Sequence, residues 1–116
     1  MLKIVKEEGA YLVTPFQVSK LNTIFAELIS DQLRELVSVE GRRVILNLEN
    51  ISFIDSSGFN VLEGVVATAM KYNATFHVCN VSDDVEELME LTGHHSVLNV
   101  IPRMNVRERI LMEPDD

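Results

Sequence analysis

The segment Val44-Ile45-Leu46-Asn47-Leu48 is almost continuously apolar, rich in branched side chains, and set between two stretches patterned as amphipathic helices. A strand that is apolar on both sides must be covered on both faces, which places it inside a sheet packed by helices. Before it, Leu21, Ile24, Phe25, Leu28, Ile29, Leu33, Leu36 and Val37 recur at spacings of three and four and form one apolar stripe. Glu27, Asp31, Arg34 and Glu35 fall on the other side, and Gly41 is a C-terminal stop. After it, Leu62, Val65, Val66, Ala69 and Met70 form a second stripe. Several of these are branched and intrinsically mediocre helix formers, so packing must hold that helix.

The remaining elements follow from turn and cap signals. Residues 2–6 and 11–14 read as strands joined at Glu8-Gly9. Residues 75–80 give another strand. Ser82 or Asp83 caps a helix running to Leu91, with Val85, Leu88 and Met89 inward and acids in its first turn. Gly93 closes it, residues 97–101 form a last strand, and Asn105 with Glu108 starts a short final helix carrying Val106, Ile110 and Leu111. Strands alternating with helices require crossovers and a largely parallel sheet, with one antiparallel edge pairing from the opening hairpin. The prediction is an α/β fold with about five strands, in a mostly parallel mixed sheet, and about four helices. One domain spans residues 1–116; no repeat or linker-like stretch divides it.

Charge and composition narrow the function. Eighteen acids against ten bases give a net charge of −8, which repels nucleic acid phosphates and anionic lipid headgroups. The nearest basic grouping, Arg103, Arg107 and Arg109, is diluted by Glu108 and Glu113. A basic protein partner fits better than nucleic acid. No apolar run approaches the ~18 residues of a membrane-spanning helix, and residues 1–6 alternate apolar and basic rather than forming a signal sequence. A cytoplasmic protein without direct membrane insertion is expected. Cys79, the only cysteine, excludes an internal disulfide and reads as a small buried hydrophobe rather than a reactive thiol.

The stretch that carries chemistry is Asp55-Ser56-Ser57-Gly58, following the short apolar segment 51–54 and opening the second helix. The first N–H groups of a helix lack internal partners and carry the positive end of its dipole. Small polar residues there supply caps, and Gly58 lets the backbone come close to whatever docks above it. Capping alone accounts for such a cluster; a functional site is the other reading.

From the central strand through the second helix, the sequence resembles the STAS domain of bacterial anti-sigma factor antagonists, whose pattern is an apolar strand, a short apolar segment and Asp-Ser-Ser/Thr-Gly opening a helix. Asp55-Ser56-Ser57-Gly58 and Phe59-Asn60-Val61-Leu62 match it except at Asn60, often Gly or a small residue in the family. The resemblance implies a single STAS domain over essentially the whole chain. It implies an antagonist that binds an anti-sigma factor, itself a serine kinase, and is switched off when Ser57 is phosphorylated; a phosphatase reverses the step. Asp55 then holds the loop and orients the serine, Ser56 caps, and Gly58 completes the site. Phe59 is either a partner contact beside the site or a core residue. Asn60, Phe16, Gln17 and Ser19 are further candidates for partner contact. Many family members carry an acid between the second strand and first helix, whereas residues 14–19 here contain none. Phe16 and Val18 make that surface apolar, which fits either a protein interface or a local cap. The alternative function is a STAS subunit of another assembly, a stress-signalling scaffold or a lipid or anion transport complex.

An enzyme is not expected, and no catalytic residues are assigned: the Gly-x-Ser-x-Gly elbow is missing, and no base is placed near Ser57. No cofactor is expected, since no Gly-rich phosphate loop occurs. No metal ligands are assigned either, because His94-His95 reads as a solvated loop with no acid at ligand spacing nearby. His77 alternates within a strand, Met70 and Met89 read as core filler, and the acids from Asp83 to Glu90 read as a solvated face. A monomer or weak dimer is expected.

Overall fold

The computed structural model describes residues 2–101. The opening strands are β1 (Leu2–Glu7) and β2 (Ala10–Pro15). They pair antiparallel through a two-residue turn in which Glu8 and Gly9 both have positive φ, 50° and 81°, the backbone handedness that suits the twist of a tight hairpin. The short strand β3 (Lys20–Leu21) follows, then helix α1 (Thr23–Val37), strands β4 (Arg43–Asn47) and β5 (Phe53–Ile54), and helix α2 (Ser56–Lys71). Strand β6 (Thr75–Cys79), helix α3 (Asp83–Thr92) and a 3-10 turn at His94–Ser96 complete the described chain. The main sheet has the order β1-β2-β4-β6, with β2, β4 and β6 parallel. The α/β architecture with a mostly parallel mixed sheet is therefore as expected.

Burial follows from the central strand. Val44 and Leu46 face the helices and pack with Val13, Phe76 and Val78 against Phe25, Ile29, Leu33, Leu62, Val65 and Met89. Ile45 faces the opposite way and joins Ala10, Leu12, Cys79 and Ile101. Both faces of β4 are thus covered, as its continuous apolar sequence requires. Cys79 is buried, and burial first, then the Glu49 carboxylate, raises its thiol to about 12.

Five expectations need correction; α1 ends at Val37 with Ser38 as its C-cap, so Gly41 lies beyond the helix rather than stopping it. The first helix starts at Thr23, not before Leu21, because Asn22 caps it: its side chain accepts from the N–H of Phe25 at 3.2 Å. Leu21 instead pairs in parallel with Ile54, forming a separate two-stranded sheet, β3-β5. Within α1 the buried line is Phe25, Ile29, Leu33 and Val37, whereas Ile24 and Leu28 are 73% and 55% exposed. Successive residues turn by about 100°, so a stripe of eight apolar residues between Leu21 and Val37 is too wide for one face. Met70 is 73% exposed for the same reason, while Ala69 takes the inward position. The strand expected at 97–101 is reduced to one bridge, Val78 with Val100. Gly93 takes a left-handed cap with φ 79°, the chain winds directly into the 3-10 turn, and the N–H groups of Val97 and Leu98 both donate back to the His94 carbonyl instead of to β6. The helix expected at 105–111 and the three arginines near it lie outside the described residues.

Ile29→Ala should lower the unfolding free energy by about 2–5 kcal/mol, while Ile24→Ala, removing a comparable side chain from an exposed position, should change it by about 0.5 kcal/mol or less. Urea titration of both variants checks this. The raised thiol also predicts that Cys79 does not react with a disulfide-exchange reagent at neutral or mildly alkaline pH until the chain is unfolded.

Candidate functional site

The Asp55-Ser56-Ser57-Gly58 turn lies beyond the carboxyl end of β4, and a buried side chain prepares its approach. Asn47 ends the strand with its Oδ1 accepting from Glu49 N–H at 3.1 Å and from Asn80 Nδ2 at 3.0 Å, while its Nδ2 donates to Thr14 Oγ1 at 3.4 Å. One amide thereby ties together the carboxyl ends of β2, β4 and β6. A buried polar group satisfied on several sides fixes a unique arrangement. The lone polar residue inside an otherwise apolar strand was the sequence signal for it, and it was passed over.

The chain then crosses to β5. Ser52 N–H donates to Ser19 carbonyl at 2.7 Å, its hydroxyl reaches the same oxygen at 3.2 Å, and Asp55 N–H donates to Leu21 carbonyl at 3.3 Å. Residues 19–21 and 52–55 are zipped together, so the starts of α1 and α2 lie side by side. Asp55 is the N-cap of α2: its Oδ1 accepts from Gly58 N–H at 2.8 Å, and its carbonyl accepts from Phe59 N–H at 3.0 Å. Asp55, not Ser56, therefore supplies the cap; Ser56 is already inside the helix and is exposed.

Gly58 is buried, and its reason differs from the expected close approach of a partner. A Cβ there would fall on the Leu21 carbonyl oxygen and 2.8 Å from Ile54 Cγ2. The glycine is demanded by the β3-β5 sheet of the chain itself. Ser57, one residue earlier, is half-buried at the rim, and the hydroxyl of Thr23 donates to its Oγ at 3.0 Å. Thr23 was not anticipated. Nothing in the local sequence joins residues 34 apart; the β3-β5 pairing, offset by 33, and the packing of α1 along α2, where Arg34 reaches Thr68, do so.

Of the residues expected to contact a partner, Phe16, Gln17, Ser19 and Asn60 are exposed. Gln17 holds a positive φ of 61°, a conformation unusual for a residue with a side chain. Phe59 is the exception. It is 2% exposed and stacks on the His94 ring at a centroid distance of 4.5 Å, so of its two readings the core role holds and it offers no surface for contact. His94 is correspondingly not in a solvated loop: its Nδ1 lies 2.9 Å from Glu63 Oε2, pinning the 3-10 turn to α2. Acids also stand closer to the pair than the sequence spacing indicated. His95 folds back on α3, and its ligand-type atom lies within 4.8 Å of those of Glu86 and Glu90, its Nε2 standing 4.0 Å from Glu86 Oε1 at the surface.

With this geometry in view, residues 4–108 match the family model of the STAS domain. The chain is 30% identical over 59 residues to the anti-sigma-B factor antagonist of Staphylococcus aureus, covering 51% of this chain and 55% of that protein. The chain thus spans about half the length of the curated relatives it matches there. A protein of Bordetella bronchiseptica assigned as an anti-sigma factor antagonist is 28% identical over 88 residues, 76% of this chain and 73% of that one. In structure, an anti-sigma factor antagonist domain protein from Planctomyces limnophilus superposes with a TM-score of 0.79 at 20% identity, over 95% of each chain. The phosphorylated form of the Bacillus cell fate determinant SpoIIAA does so with a TM-score of 0.65 at 16% identity, over 95% of this chain and 99% of that one.

Gly58→Ala should destabilise the fold by about 1–3 kcal/mol, because the methyl meets backbone that cannot move aside. At Gly64 an added Cβ meets only the Arg34 guanidinium, the end of a flexible chain, so Gly64→Ala should be neutral or stabilising by up to about 1 kcal/mol from helix propensity. Thermal or urea unfolding of the two variants distinguishes them.

Proposed function

The chain belongs to the STAS domain family, and on that premise we propose that it is an anti-sigma factor antagonist, a binding module switched by phosphorylation of Ser57. The observation that supports this most is the position of Ser57: at the second residue of α2, half-buried at the rim, with its hydroxyl on the surface shared by two helix starts. The relatives assigned as antagonists agree with this reading, and one of the structural neighbours is itself a phosphorylated form. In this reading the partner is an anti-sigma factor with serine kinase activity, and a phosphatase restores the bound state.

The physics of such a switch suits this surface. Phe16, Ile24, Leu28 and Phe53 are exposed on the segments leading into and through the starts of α1 and α2, which offer a partner apolar surface. Association that covers them gains from removing apolar surface from water. A phosphate on Ser57 adds about −1.5 to −2 charges and three acceptor oxygens. On the free protein these stay solvated beside helix N-termini, where the dipole favours them. Under a partner they must be desolvated, which costs several kcal/mol when unpaired. Binding is lost while the domain stays folded.

Incubated with ATP and the anti-sigma kinase of its own cell, the wild type and Ser56→Ala should each take up one phosphate at residue 57, and Ser57→Ala none. The phosphorylated protein should bind that partner about a hundredfold more weakly, roughly 2.8 kcal/mol, by calorimetry or surface binding. Undiminished affinity of the phosphorylated form or of Ser57→Asp would refute the electrostatic switch.

A further inference from the structure

The contact between Thr23 and Ser57 is unusual in its parts. Each hydroxyl belongs to the first turn of a different helix, and neither is used to cap its own: Asn22 caps α1 and Asp55 caps α2. The Thr23 hydroxyl is exposed to water on one side and donates to Ser57 Oγ at 3.0 Å on the other. Two exposed hydroxyls gain little stability from each other, so folding alone does not account for the pair.

We infer that Thr23 is the positioning residue of the phosphorylation site: it orients the Ser57 hydroxyl before modification and donates to the phosphoryl group after it. This rests on the proposed phosphorylation of Ser57. The contact with Thr23 fixes one side of Ser57 Oγ and leaves its other side open to whatever base approaches from outside. In the transfer itself, Ser57 Oγ forms a bond to the γ-phosphorus of a nucleoside triphosphate. The bond from that phosphorus to the β–γ bridging oxygen breaks, the nucleoside diphosphate leaves with the electron pair, and the serine proton passes to a base on the kinase. The new phosphoryl group, bonded to Ser57 Oγ, then lies within reach of the Thr23 hydroxyl that already touches that oxygen at 3.0 Å.

A double-mutant cycle between Thr23 and the phosphate tests this. Phosphoserine is placed at residue 57 during synthesis, so no kinase is needed and the result is independent of whether a cellular kinase uses Ser57. The unfolding equilibrium is measured by urea titration with serine and with phosphoserine at 57, in Thr23, Thr23→Val and Thr23→Ser backgrounds. A role confined to the fold shifts the serine and phosphoserine forms equally. A donor to the phosphate makes the modification roughly five- to tenfold more unfavourable to the folding equilibrium in Thr23→Val than in the wild type, and Thr23→Ser restores the wild-type effect. Thr23→Ala repeats the comparison in place of valine where branching disturbs the turn. A phosphate effect that is the same in all backgrounds overturns the inference.

Discussion

The two-residue pairing of β3 with β5 is the constraint on which the site depends. It fixes the Leu21 carbonyl over the first turn of α2, where only a glycine leaves room. It also sets the starts of α1 and α2 next to each other, although 34 residues separate Thr23 from Ser57. So short a ladder is not stable alone. It persists because Leu21, Ile51 and Ile54 are all sunk in the core, so that hydrophobic burial holds the strands and the strands hold the polar rim.

That arrangement gives each position of Asp55-Ser56-Ser57-Gly58 a separate cause. Asp55 accepts the third N–H of the helix, and Gly58 is shaped by the chain packed against it. Phe59 drops into the core against His94, which Glu63 holds in turn. Between these anchors Ser56 and Ser57 have no structural duty in the interior. The first turn of α2 is therefore rigid on its inner side and chemically available on its outer side. A group added at Ser57 acts through its charge and size at the surface, with little leverage on the packing beneath.

Much of the fold was legible because it depends on periodicity. The branched, continuously apolar Val44–Leu48 stretch and the Phe25-Ile29-Leu33-Val37 line each record their burial directly, and Ser82 and Gly93 mark the ends of α3 as expected. What was not legible depends on contacts distant in sequence. Ile24 and Leu28 sit at helical spacing from buried neighbours, and apolarity alone does not reveal which edge of a stripe reaches the core. The β3-β5 ladder is two residues long and carries no alternation to detect. Asp and Ser are equally good caps, so the sequence does not choose between Asp55 and Ser56; the register of the helix, with Gly58 beneath Leu21, decides for Asp55. Thr23 carried no signal, since its importance is conferred only by the residue it meets.

The exposure of Ile24 and Leu28 gains meaning from that meeting. On α1 they follow directly from Thr23 and stand exposed in the first two turns of the helix whose start meets Ser57. A neutral hydroxyl with one hydrogen bond already satisfied by Thr23 enters an apolar interface at low cost, because that bond stays within the chain when water leaves. A phosphate dianion has far more hydrogen-bonding demand than one threonine and a few N–H groups can meet. The same contact that makes the unmodified serine tolerable under a partner is insufficient once it is modified. That difference, between one satisfied lone pair and a partly satisfied double charge, is the source of discrimination in the proposed switch.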